Sequence, residues 1–150
     1  MKEFLKSIQT KLATVTDLKY VDEDWGQLDD YSPNPPVKWP CCLIDLDNAV
    51  YTNLGIDRSA TPQNRQQATA SVVFKYANMK LTRTSSKAPE SQKDNAWLLH
   101  EIIEKSHEVL HGFRPTPESG VLLRTTWRKV KRDDGIQVFL VTYTFGLNNV

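Results

Sequence analysis

The chain has 150 residues, of which 39% are hydrophobic and 25% are charged, as in an ordinary globular protein. This length suits one domain over residues 1–150, since a chain of this size buries enough surface on folding to form its own core. A basic excess typical of a nucleic-acid-binding surface is missing, because the formal charge is only +1. The basic run of residues 124–132 is also followed at once by Asp133 and Asp134. We therefore predict a folded protein without a nucleic-acid partner.

The two cysteines, Cys41 and Cys42, are adjacent. Neighbouring residues of a strand point to opposite faces, so these two are not expected to bond to each other, and reduced cysteines favour the cytoplasm. Residues Met1–Thr14 mix charges with apolar positions and lack the apolar core of a signal peptide. No apolar run approaches the ~20 residues that span a bilayer, so no membrane partner is predicted.

The first predicted element is a short amphipathic helix, because apolar residues recur at helical spacing over Phe4–Val15. A short strand is predicted around Tyr20, with alternating residues on its two sides. The segment Asp24–Pro40 is rich in proline and is predicted to be an extended loop. Its aromatic residues either contact another chain or fold back onto the core, and the sequence leaves both open. They are Trp25, Tyr31 and Trp39.

Two strands are predicted in the middle of the chain. Residues of opposite polarity alternate over Cys42–Leu46 and, most clearly, over Ala68–Tyr76. Val50–Ile56 is predicted to extend the sheet before Gly55, and Asp57–Arg65 to form a turn or loop.

The strongest helical pattern covers Pro89–His111, with proline in its first turn and Gly112 just after its end. Val121–Lys131 and Ile136–Phe145 are strand-like and flank an Asp-Gly turn, which predicts a hairpin. Strands grouped in this way give an α+β fold, with an antiparallel or mixed sheet on which the short N-terminal helix and one long helix pack.

The long helix contains the only motif with a known chemistry. His107, Glu108 and His111 form an H-E-x-x-H pattern, in which two histidines share one helix face and can bind zinc while the glutamate acts as general base. His100 and Glu104 lie on the same side of the helix. The sequence therefore raises the hypothesis of a small zinc-dependent hydrolase.

The same residues have a second interpretation. A catalytic zinc normally takes three protein ligands, and no histidine follows His111 to supply the third. The histidine stripe is also displaced from the leucine and isoleucine face, so we expect it to point to solvent when that face meets the sheet. A solvated helix face is the favoured interpretation, with no metal or other cofactor predicted.

Trp97 is predicted to lie on the polar side of the long helix, away from its apolar face. Tryptophan is enriched at the centres of protein interfaces. Trp97 is therefore a candidate contact with another chain.

The layout of the whole chain is defined by a few segments in a fixed order. They are the N-terminal helix, Lys19–Glu23, Pro40–Leu46, Ala68–Tyr76, Pro89–His111, Gly120–Leu123 and Val138–Phe145. This layout resembles the tail terminator family of tailed phages, which is related to minor tail proteins of the lambda type and their prophage counterparts. The resemblance rests on element order, length and hydrophobic pattern over nearly the full chain.

The resemblance implies a non-enzymatic subunit that forms a ring, typically hexameric, at the end of a tail tube. It implies a tail terminator or neck role, with tail-tube and head-connector proteins as partners. It also implies assembly in the host cytoplasm and a final place in the virion tail. The candidate contact residues are Trp25, Tyr31, Trp39 and Trp97.

Overall fold

The computed structural model describes residues 1–30, 35–80 and 82–148. The elements, in chain order, are the helix α1 (Lys2–Leu12), the strand β1 (Tyr20–Glu23), a short 3-10 helix (Gln27–Asp29), β2 (Cys41–Ile56), β3 (Asn64–Met79), α2 (Glu90–Ala96), α3 (Leu98–Leu110), β4 (Leu123–Val130) and β5 (Ile136–Asn148). Tyr31 lies outside the described residues.

The described strands form one five-stranded sheet in the order β1-β2-β3-β5-β4. β1 pairs with β2 in parallel, and the other neighbouring pairs are antiparallel. The sheet is therefore mixed, and helices pack on it, which confirms the α+β class predicted from the sequence. Val50–Ile56 does extend the sheet, but as part of β2, which continues through Gly55 to Ile56. The predicted loop Asp57–Arg65 is slightly shorter than expected, because β3 begins at Asn64.

The main core lies between the helices and one face of the sheet. Alternate residues of β3, from Ala68 to Tyr76, face the helices and are buried, which explains the period-two pattern of the sequence. α1 contributes Phe4, whose ring stacks on that of Phe145 with the centroids 4.2 Å apart. Burial of these apolar side chains is the main source of stability for the sheet and its helices.

A smaller cluster covers the opposite face at one end of the sheet. It contains Leu28, Cys41, Leu43, Ala77 and Val138, and Trp39 packs against it. The aromatic segment before β2 thus folds back onto the sheet at Trp39.

Arg132 ties this end of the molecule together. Its guanidinium donates hydrogen bonds to Asp134, to Asp29 and to the carbonyl oxygen of Leu28. Those acceptors belong to the β4–β5 turn and to the 3-10 helix, which are far apart in sequence. The hydrogen bonds from this guanidinium to the carboxylates of Asp134 and Asp29 raise the pKa of Arg132 well above its usual range, so the group stays charged.

The helix predicted over Pro89–His111 consists of two helices separated at Trp97. The backbone there adopts φ −104° and ψ 13°, and the N–H of His100 bonds to the carbonyl oxygen of Trp97, only three residues back. This tighter turn shifts the helical register. A helical periodicity extrapolated from α3 back through Trp97 therefore assigns the residues of α2 to the wrong side of the helix. Among the described helices, none is long and apolar enough to cross a membrane.

β2 and β3 extend beyond the rest of the sheet. The pairing of β3 with β5 ends at Gln67 and Asn148, whereas β2 and β3 continue to pair as far as Ile56 and Asn64. We call two stretches the arm: residues 48–56 of β2, whose outer side pairs with no described strand, and residues 64–67 of β3, where the pairing with β5 ends. We call the buried residues Cys41–Ile44 the root of β2. The arm is a two-stranded projection that no other described strand flanks at its tip.

Candidate functional site

The three histidines lie on the flank of α3, at the border of its buried face. Each follows a buried residue by one position: Leu99, Ser106 and Leu110 are buried, and His100, His107 and His111 come next. One position is about 100° around a helix, so each histidine stands at the edge of the buried face rather than opposite it.

This placement corrects the expectation that the histidine stripe points away from the sheet. The ring of His100 lies 4.9 Å from that of Phe139, and Trp127 stacks on Phe139 from the neighbouring strand. His107 Nδ1 lies 3.0 Å from the Tyr143 hydroxyl oxygen. The long side chains of β5 and β4 reach around the helix flank, and for this reason the histidines contact the sheet although His100 and His111 remain exposed.

The H-E-x-x-H residues are brought together, but their hydrogen bonds do not resemble those of a zinc site. The rings of His107 and His111 are 4.7 Å apart. His111 Nδ1 accepts a hydrogen bond from the backbone N–H of Arg124 at 3.2 Å. A zinc-bound histidine usually donates from its second ring nitrogen. Because Nδ1 of His111 accepts this hydrogen bond, the proton of the neutral ring lies on Nε2, and that atom then has no lone pair for a metal.

A third ligand also has to be found. Within residues 1–30, 35–80 and 82–148, no group of three or more His, Cys, Asp or Glu side chains is placed to hold a metal ion. Glu108, the predicted general base, is exposed on α3. The described residues therefore place two histidines of the motif side by side without a closed set of ligands.

The environment of His107 disfavours its charged form. Partial burial lowers the pKa of His107 below its ordinary value, and the positive charge of Arg124 and the neighbouring His111 lower it further, against the opposing effect of Glu104. Burial also raises the pKa of its partner Tyr143 to about 12. Both groups are therefore neutral near pH 7, and their contact is a neutral hydrogen bond.

A shallow groove of about 360 Å³ runs between α3 and β4. Its lining includes His100, Glu104, Arg124, Thr126 and Trp127. The two charged groups have opposite signs, so the groove does not select an anion or a cation by charge. We assign no chemistry to it.

The predicted contact tryptophans have different environments. Trp25 is 62% exposed, although its ring N–H donates a hydrogen bond to Asp22. Trp97 is 47% exposed at the junction of α2 and α3. Trp39 is half-buried against the smaller cluster. Trp25 and Trp97 are thus accessible to a partner, while Trp39 also serves the fold.

Sequence reasoning missed a larger exposed apolar surface on the arm. Val50 and Ile56 are 66% and 72% exposed, and Tyr51 and Leu54 are exposed as well. The available signal was the length of the hairpin. Its two strands, β2 and β3, are longer than the three other strands of the sheet, so part of the hairpin has no strand beside it. At the opposite edge of the sheet, Trp127 is half exposed on β4.

The two edges of the sheet carry opposite charges. β1 and β2 contain Asp22, Glu23, Asp45 and Asp47 and no basic residue. β4 contains Arg124, Arg128 and Lys129 and no acidic residue. The nearly neutral chain is therefore polarised across its sheet.

Comparison with known proteins identifies the fold. No protein-family model matches the sequence, and no curated protein matches it. Among solved structures, a chain of the virion of a native gene transfer agent particle is similar to this chain, with a TM-score of 0.53 and 8% sequence identity. The alignment covers 97% of this chain and 94% of that chain. At this identity the likeness shows a shared fold over nearly the whole of both chains.

Proposed function

We propose that this chain is a non-enzymatic structural subunit of a phage-like virion. More narrowly, we propose a tail terminator or neck subunit that forms a ring at the end of the tail tube. The observation that carries the proposal is the shared fold with a chain of a gene transfer agent virion, at 97% and 94% coverage of the two chains. The element order, which resembles the tail terminator family, supports the same assignment.

The surface of the molecule is compatible with such a role. A ring of identical subunits needs a heterologous interface, in which two different patches of each copy meet and the rotation between copies closes. Exposed aromatic and aliphatic side chains are typical of the centres of such patches. Here they occur at well-separated places, on the arm, on β4 and at Trp25 and Trp97.

The proposed partners are further copies of the chain, tail-tube protein and head-connector protein. Trp25 and Trp97 are proposed contacts to one of these, because a half-exposed tryptophan loses apolar surface when a partner covers it. Assembly would take place in the host cytoplasm, and the subunit would remain in the virion tail.

Gene order gives the first test. The genes next to this one are expected to include a tail-tube, tape-measure or capsid gene. Neighbours that all belong to an unrelated process would contradict the proposal.

Tube growth gives the second test. Tail-tube protein from the same gene cluster is polymerised with and without the purified chain, and tube lengths and ends are examined by electron microscopy. A terminator is expected to limit tube length and to form a cap visible at one end. Tubes of unchanged length, with no cap and no bound chain in sedimented material, would reject the terminator and neck roles.

A further inference from the structure

We propose that the basic edge of one copy, formed by β4, pairs with the acidic edge of a second copy, formed by β1 and β2. This contact rests on the proposed function, since it supplies the interface that closes the ring. It assigns that interface to a pair of sheet edges, which the comparisons with known proteins do not specify.

Both edges offer unpaired backbone groups. β1 covers the outer side of β2 only from Cys41 to Ile44, and in the described part of the chain no strand pairs with that side from Asp45 to Ile56. β4 is the last strand at the other edge of the sheet. The backbone N–H of Arg124 is used by His111, but no described segment pairs with the outer side of Thr126–Val130. Such edges are templates for pairing with another chain.

Each edge is complementary in charge to the other edge but not to a second copy of itself. β4 meeting a second β4 would bring Arg128 and Lys129 against their own copies, and two acidic edges would repel in the same way. β4 meeting β1 and β2 pairs unlike charges. The contact is therefore heterologous, which is the type that produces rings when the rotation closes.

Strand direction supports the same contact. β2 is antiparallel to β3, β3 to β5 and β5 to β4, so β4 runs opposite to β2 and to its parallel neighbour β1. Copies related by rotation about an axis along the strands keep these directions. The basic edge then meets the acidic edge as an antiparallel pair, which is the more stable arrangement per residue.

Antiparallel pairing also orders the residues along the contact. The end of β4, with Arg128 and Lys129, lies toward the part of the acidic edge that carries Glu23, Asp45 and Asp47. The beginning of β4 lies toward the arm. There the exposed Leu123 and Trp127 of one copy approach the uncharged residues of the arm of the next.

Charge reversal at each edge tests the contact. The acidic-edge variant is Glu23→Lys with Asp47→Lys, and the basic-edge variant is Arg128→Glu with Lys129→Glu, all at exposed positions. The mass of each protein is measured by light scattering after size exclusion and by native mass spectrometry over a range of concentrations. The wild type is expected to assemble, increasingly weakly as salt is added, and each variant alone to be shifted to the monomer.

Mixing the two variants provides the decisive step. At positions 23, 47, 128 and 129 one variant carries only basic residues and the other only acidic residues. Contacts between copies of one variant are therefore repulsive at these positions, and contacts between the two variants are attractive. The mixture is expected to restore assembly, with the two variants in equal numbers. Restoration also shows that both variants are folded, which their circular dichroism spectra check independently.

Control variants carry the same charge changes at exposed positions away from both edges. They are Glu90→Lys with Glu101→Lys, and Lys87→Glu with Arg114→Glu. These controls are expected to assemble like the wild type.

The outcomes separate this inference from the proposed function. If the wild type assembles and both edge variants assemble equally well, the edges are not the interface, while a ring subunit remains the proposed function. If the variants dissociate but their mixture stays monomeric, pairing of one edge with the other is wrong. A wild type that is monomeric at every concentration overturns the self-association itself.

Discussion

The two halves of β2 belong to one continuous strand but lie in opposite environments. At the root, Cys41–Ile44 are at most 2% exposed, between β1 and β3 and beneath packed side chains on both faces. On the arm, Val50 and Ile56 are largely exposed although they are as apolar as the root. The same residue types thus stabilise the fold in one half and remain available for contacts in the other.

This difference separates the residues that the monomer needs from those that it does not. Apolar side chains at the root are removed from water by the chain's own folding, so their truncation costs stability. Apolar side chains on the arm gain little from folding, and their removal should affect assembly instead. Substitutions in the two halves therefore have different expected readouts.

The largest effect on stability is expected at the root. Leu43→Ala removes a side chain that is 0% exposed in the smaller cluster, and we expect the free energy of unfolding to fall by about 2–5 kcal/mol. Urea denaturation followed by circular dichroism measures the change. Leu54→Ala on the arm is the matched control, with an expected change within about 0.5 kcal/mol. Equal losses in both variants would show that the arm is buried in the monomer.

The next largest effect on stability is expected at Arg132, which joins the 3-10 helix to the β4–β5 turn. Arg132→Lys keeps the charge but loses the fork that binds Asp29, Asp134 and the Leu28 carbonyl together, so we expect a loss of about 1–3 kcal/mol. Arg128→Lys, at an exposed position of the adjoining strand β4, should leave the unfolding midpoint almost unchanged. If the Arg132→Lys variant is as stable as the wild type, these hydrogen bonds only replace hydrogen bonds to water.

The sequence predicted the fold class and most of the elements for a simple physical reason. Alternation in Ala68–Tyr76 reflects a strand with one face against helices, and burial on that face is what the pattern records. The break at Trp97 was not predictable in this way, because the residues of α2 before it are almost all polar and show no apolar periodicity that could reveal a change of register. Similarly, the pattern of Val50–Ile56 shows that it is a strand, but not that β1 and β5, the strands on either side of the β2–β3 pair, end before it does.

The histidine stripe was expected to point to solvent, away from the sheet, but His100 and His107 contact side chains of the sheet. The sequence gives angles around α3, and these put His107 at the border of the buried face. It does not show that Tyr143, on β5, reaches that border and bonds to His107. Contacts made by residues that are distant in sequence decide whether such a flank is solvated.

The pH dependence of stability tests this contact. The pKa of folded His107 lies below the ordinary value of 6.5, so the unfolded chain takes up a proton first as the pH falls. The contribution of His107 to stability is therefore present above the ordinary histidine pKa, and it is lost as the pH falls from there toward the lowered pKa of the folded state. Thermal midpoints over this pH range should decline less steeply in His107→Gln than in wild type. An identical slope in both proteins would show that His107 is not shielded by the sheet.

The smallest expected effect is that of zinc. Because His111 Nδ1 accepts from the Arg124 N–H, zinc binding would have to break that hydrogen bond, and we expect the thermal midpoint to stay unchanged when zinc is added. Metal analysis after purification without chelator should find no stoichiometric zinc. A zinc-dependent rise in the midpoint that disappears in His107→Ala with His111→Ala would instead support the hydrolase hypothesis and Glu108 as its base.

One measurement tests both the difference between root and arm and the proposed pairing of the sheet edges. Backbone hydrogen exchange is followed by mass spectrometry in wild type at high and at low concentration. The outward-facing amides of β2 from Asp45 to Ile56 and of β4 from Thr126 to Val130, which do not bond to β3 or β5, should be protected at high concentration and exchange faster on dilution. The amides of Cys41–Ile44 should be protected at both concentrations. Exchange on the two edges that does not change with concentration, while the protein is assembled, would contradict the account.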